Sequence, residues 1–117
     1  MSRTHRPMGV IEAYVDPQHR IGALVELRCE TDFVARTKEI HELAQEVAFH
    51  VAATDPETVG SIEEISQDNQ ALLNQEYVRN VRRTIRDLMN EMISTVGERV
   101  WIERFIRWET PQFRYEW

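Results

Sequence analysis

The sequence has little of what small reactive centres are usually built from. Cys29 is its one cysteine in 117 residues, so neither an intrachain disulfide nor a cysteine-based zinc cluster can form, a usage that fits a reducing cytosol. Its four glycines do not make a phosphate-cradling loop, and no Ser/His/Asp order with a nucleophile elbow is present. No apolar run approaches the length of about 18 residues that crosses a membrane. Met1 to Met8 carries Arg3 and Arg6 with no apolar stretch after it, so neither a secretory signal nor an extended transit peptide is expected. Basic charge is scarce too. Fourteen Lys and Arg against twenty Asp and Glu leave a formal charge of −6, which opposes binding to nucleic acid, because neutralising phosphates supplies most non-specific affinity. The arginines between Arg79 and Arg86, with Arg99, Arg104 and Arg107, are interleaved with acids and apolar residues. They read as a solvated helix face and a mixed strand surface.

What is present is an ordinary globular composition, 42% hydrophobic and 29% charged, in a chain long enough to bury one core without disulfides or metals. One domain over 1–117 is expected, with tails at 1–8 and 110–117. Val10 to Val15 (VIEAYV) is rich in β-branched and aromatic residues and ends at Asp16-Pro17, a strand followed by a turn. Ile21, Ala23, Val25, Leu27 and Cys29 then alternate with Gly22, Leu24, Glu26, Arg28 and Glu30, which makes a second strand and, with only Asp16 to Arg20 between, an antiparallel hairpin. The period changes after Arg36. Ile40, Leu43, Ala44, Val47, Ala48 and Val51 form one helical stripe, predicting a helix over about 37–53 that Thr54-Asp55-Pro56 stops.

The polar stretch 55–75 reads as a connector, in which Ser61 and Glu64 have the spacing of a capping box for a short helix. A further helix starts at Thr84 and stops at Gly97, with Ile85, Leu88, Met89, Met92, Ile93 and Val96 on its apolar side. Val100, Ile102, Ile106 and Trp108 then alternate against Trp101 and Phe105 in a last strand with large apolar groups on both faces. The order strand, strand, helix, connector, helix, strand predicts an α+β layer: a three-stranded antiparallel sheet with helices packed on one face.

Catalytic and metal signals are weak. His41 and His50 share a helix, but nine residues apart they point to opposite sides; with no HExxH and no cysteine pair, no metal and no cofactor are expected. Adjacent acids such as Glu63 and Glu64 serve solubility more often than acid/base work. One segment resists a bland reading. Phe33 stands in the polar strand-to-helix corner Glu30-Thr31-Asp32-Phe33-Val34, where a large aromatic is either folded back onto the core or exposed as an anchor for a partner. Composition alone favours the core.

At this corner the sequence resembles the elongation factor Ts family. The stretch Arg20 to Arg36 (RIGALVELRCETDFVAR) looks like the family's signature region, and AFHVAA at 48–53, LNQEYV at 73–78, VGERV at 96–100 and RFIRWE at 104–109 extend the likeness. The resemblance implies guanine nucleotide exchange on elongation factor Tu, a non-enzymatic activity of the cytoplasm in translation elongation. It also implies that Thr31, Asp32, Phe33 and Val34 meet that GTPase: Phe33 inserts between its helices, and Asp32 adds polar contacts. Family members usually begin with a small helical module, which nothing before Gly9 could encode, and place a longer excursion between the two helices. A short, core-only form is therefore expected. Apolar groups on both faces of the last strand predict a homodimer through Trp101 and Phe105. The alternative reading is a dimeric binding or assembly module that keeps the fold without exchange activity.

Overall fold

The computed structural model describes residues 8–64 and 66–111. Strands β1 (Met8–Val15) and β2 (Ile21–Cys29) form the expected hairpin, paired antiparallel from Met8 with Cys29 to Val15 with Gly22. Its turn is closed by Asp16, whose Oδ1 accepts the backbone N–H of Arg20 at 2.7 Å and of Ile21 at 2.8 Å. Those bonds, led by the one from Ile21, hold the Asp16 carboxyl below its usual range. The last strand, β5 (Val100–Glu109), lies antiparallel on the other side of β2, giving the sheet order β1-β2-β5.

Helix α1 (Asp32–Ala35) is a single turn, and Thr37 then caps the long helix α2 (Lys38–Thr54). Ile40, Ala44, Val47, Ala48 and Val51 of α2 are wholly buried against Val25, Leu27 and Cys29 of β2, so helical and strand periodicities meet in one layer, as the alternation requires. Helix α3 (Ile85–Val96) begins at a complete capping box: Thr84 Oγ1 accepts Asp87 N–H at 3.1 Å, and Asp87 Oδ2 accepts Thr84 N–H at 2.8 Å. It ends at Gly97, which takes the left-handed conformation with φ 76° that a residue with a side chain adopts only at a cost.

The connector departs from expectation. The Ser61 hydroxyl accepts the N–H groups of Glu63 and Glu64 at 3.2 and 3.1 Å, but makes a turn and no helix. Structure resumes at a 3₁₀ turn, Leu72–Asn74, and at a small hairpin of β3 (Glu76–Tyr77) and β4 (Asn80–Thr84) that leads into α3. Two buried polar side chains hold this region. Arg86 donates to the carbonyl oxygens of Ser61 at 2.5 Å, Glu64 at 3.3 Å, and Ile62 and Leu73 at 3.4 Å, so a buried cation is met by four dipoles. His50, fully buried on α2, is 2.9 Å from Gln75 Oε1 through Nε2 and accepts Val78 N–H at Nδ1, 3.3 Å away. That pattern requires the neutral ring protonated on Nε2, and burial lowers the tendency of His50 to take a second proton. His41 points the other way, to Glu12 on β1 at 2.5 Å.

The alternation in β5 is interrupted. Pairing passes from Glu26 with Arg104 to Leu27 with Ile102, leaving Glu103 as an extra residue, and such a bulge shifts every later side chain to the other face. Val100 and Ile102 face the helices, as expected, but Phe105 joins them opposite Val25, and Arg107 reaches the carbonyl of Ala52 on α2 at 2.9 Å. Ile106 and Trp108 consequently lie on the open face with Trp101, which pairs with Arg28. The expected division of this strand is therefore corrected: Phe105 packs towards the helix side and does not share a face with Trp101.

Candidate functional site

The corner between β2 and α2 presents one large aromatic on a rigid support. Thr31 is extended, with φ −125° and ψ 152°, and its hydroxyl accepts the N–H of Val34 at 3.2 Å, so it is the N-cap of α1. Asp32 opens the turn and forms an exposed ion pair with Arg36 at 2.7 Å, weak in water because both ends stay solvated. Phe33 is 79% exposed, whereas Val34 and Ala35 are buried at 3% and 7%. On a helix each residue turns about 100° from the last, so with Val34 and Ala35 facing the core Phe33 faces out. Composition had favoured a buried Phe33; the geometry of this turn excludes that reading.

The support is polar as well as apolar. The Cys29 thiol donates to the Thr31 carbonyl at 3.3 Å, and burial pushes that thiol's pKa up, which keeps it protonated and unreactive. The Glu98 carboxylate, from the turn after α3, receives Glu30 N–H at 2.7 Å, Thr31 N–H at 2.9 Å and the Thr31 hydroxyl at 2.9 Å. Thr37 donates its hydroxyl to the Val34 carbonyl at 2.8 Å. Of the four corner residues singled out in the sequence, Asp32 and Phe33 therefore project, Thr31 caps, and Val34 anchors. Glu98 was not legible in advance. Its neighbour Gly97 signalled a helix stop, but no local pattern says which distant backbone a carboxylate will reach.

Among the described residues no three of His, Cys, Asp and Glu converge as metal ligands would, and no helix is long and apolar enough to cross a membrane.

A second surface lies on the sheet face away from the helices. The register aligns Ile11, Leu24, Ile106 and Trp108 there, exposed by 59%, 44%, 44% and 71%. Ile11, Leu24 and Ile106 flank a groove of about 400 Å³, bounded at one end by Glu26 with Arg104 at 2.7 Å. The helices therefore cover one side of the sheet only.

Comparison with known proteins gives this corner a context. The family model for elongation factor Ts matches residues 1–69 and, in an overlapping second match, 30–115. An elongation factor Ts from Caldanaerobacter subterraneus is 34% identical over 86% of the chain and 68% of its own length. Another from Rubrobacter xylanophilus is 34% identical over 92% of the chain and 73% of its own, and one from Moorella thermoacetica is 32% identical over 89% and 68%. The chain belongs to the elongation factor Ts family. It thus falls among the translation elongation factors, and its α+β layer is that of an elongation factor Ts core. The first of these alignments runs over 137 positions, more than this 117-residue chain supplies, so that elongation factor Ts carries residues within the matched span that have no counterpart here. The corner from Thr31 to Val34 lies well inside the first family-model match and at the start of the second.

Proposed function

We propose that this protein binds elongation factor Tu and accelerates release of its GDP, with Phe33 as the inserted side chain and Asp32 as its polar neighbour. The observation that carries the reading is the 79% exposure of Phe33 on a turn whose next two residues are locked into the core. Leaving an aromatic in water is unfavourable for the free protein, and a partner pocket that desolvates it recovers that free energy. Exchange also requires a factor that binds the nucleotide-free or distorted GTPase more tightly than the GDP-bound form. A rigidly held wedge supplies such a differential contact, because it fits only the conformation in which room for it has opened. No catalytic chemistry is involved, and the cytoplasm is where such a partner is met. Stopped-flow release of a fluorescent GDP analogue from elongation factor Tu tests this directly. No acceleration at saturating concentration of this protein would refute it.

The open sheet face favours a second reading: the chain pairs with another copy of itself through Leu24, Ile106 and Trp108, with Trp101 on the same face beyond the Glu26–Arg104 pair. A contiguous apolar face of this kind is an interface more often than a bare surface, and an isologous pair would set the two Phe33 corners at equivalent, separate positions. A dimer without exchange activity, acting as a binding or assembly module, is the outcome that would select this reading over the first.

A further inference from the structure

The Phe33 corner is fastened by a side chain from the far end of the chain. Glu98 follows Gly97, whose left-handed backbone ends α3 and aims the next residue at the corner. Its Oε2 accepts two backbone donors, Glu30 N–H at 2.7 Å and Thr31 N–H at 2.9 Å, and its Oε1 accepts the Thr31 hydroxyl at 2.9 Å. The contact is reciprocated, since Glu30 Oε2 accepts Arg99 N–H at 2.7 Å. Two segments 67 to 69 residues apart are thus joined by four hydrogen bonds, each with a carboxylate oxygen as acceptor.

The Thr31 hydroxyl has one proton to give. With that proton directed at Glu98, its lone pairs face Val34 N–H, so the orientation of the N-cap is set from outside the turn it caps. Helix α1 has four residues, too few to hold its own winding, because the first turn of a helix fixes several dihedrals for one hydrogen bond. Its other bonds, Ala35 N–H to Thr31 O at 3.2 Å and Arg36 N–H to Asp32 O at 3.1 Å, depend on that winding.

We propose that Glu98 is the positioning residue for Phe33: by orienting Thr31 it keeps α1 wound and the aromatic presented in its inserting geometry. The proposal rests on the reading of Phe33 as the side chain inserted into elongation factor Tu. If Glu98 is removed, α1 is wound for only a fraction of the time, and apparent affinity falls by that fraction. A drop of about tenfold is expected, the scale of one impaired N-cap.

The test compares Glu98→Ala, Phe33→Ala, the double variant and Glu98→Gln, with two readouts. In GDP release from elongation factor Tu, Glu98→Ala should raise the half-saturating concentration about tenfold and leave the saturating rate nearly unchanged, whereas on the Phe33→Ala background it should change the result less than about twofold. In the free protein, the Val34, Ala35 and Arg36 amides should exchange about tenfold faster with solvent while those of α2 do not. Glu98→Gln should be intermediate in both, because its amide oxygen can still take the two N–H donors but its amide nitrogen cannot accept the hydroxyl. An equal Glu98→Ala loss on both backgrounds, or unchanged protection at 34–36, overturns the positioning role alone. If Phe33→Ala itself leaves exchange intact, the inserted-side-chain reading falls, and the positioning role with it.

Discussion

Replacing Phe33 by Ala separates a residue that serves a partner from one that serves its own fold. At 79% exposure only about a fifth of the side chain is buried. Full burial of a Phe stabilises by about 1.5–3 kcal/mol, so its contribution to the free protein is about 0.3–0.6 kcal/mol. Alanine is the better helix former by up to about 0.5 kcal/mol, which offsets most of that loss. The melting temperature should therefore move by less than about 4 °C in a domain of this size. Insertion into the partner would desolvate the remaining four-fifths, worth about 1.2–2.4 kcal/mol, roughly an eightfold to sixtyfold loss of affinity or of exchange at subsaturating concentration. Val34→Ala, one position on, is the matching control. Val34 is 3% exposed, and truncating a buried aliphatic costs about 2 kcal/mol, so this variant should melt markedly lower. The assays are stopped-flow GDP release and thermal unfolding followed by circular dichroism. If Phe33→Ala melts as low as Val34→Ala, or exchanges like the wild type, the reasoning from exposure to function is wrong.

Asp32→Ala should weaken exchange less than Phe33→Ala in the same assay, because its ion pair with Arg36 is solvated at both ends; the reverse order would mean the corner works mainly through charge. Sedimentation equilibrium at micromolar concentration should give about twice the 13.9 kDa chain mass, and Trp108→Glu, on the open face and 71% exposed, should give a monomer, since a charge would be buried at the contact; a monomeric wild type refutes the pairing. Because burial lowers the affinity of His50 for a proton below that of an ordinary histidine, the unfolded chain binds that proton first, so stability should be full above about pH 6.5 and decline as pH falls below it. Urea titrations between pH 7 and 5 should show that decline, and its persistence unchanged in His50→Gln would assign it elsewhere. Gly97→Ala should destabilise by about 1 kcal/mol through backbone strain alone, because nothing lies within 4 Å of the added methyl, and Gly97→Asn by less; equal melting temperatures for Gly97→Ala and wild type would refute the left-handed assignment.

Much of this fold was written locally. The strict alternation from Ile21 to Cys29, the helical stripe from Ile40 to Val51, the Thr84 cap and the Gly97 stop each depend on neighbours within a few residues, so the sequence by itself determined these elements, their order and the layer they form. The corner was legible as a motif by its resemblance to the family. Its orientation was not. Phe33 faces water because Val34 and Ala35 found a core to enter, and that core exists only once α2 lies across β2. The bulge at Glu103 was likewise invisible, because nothing in a single strand shows where its pairing with β2 slips, and that slip carried Phe105 to the helix side and Ile106 to the open face. The Glu98 clamp and the four carbonyls around Arg86 belong to the same class. Each joins groups far apart in sequence, and a side chain's reach is set by where the packed elements place it, which only the tertiary structure decided.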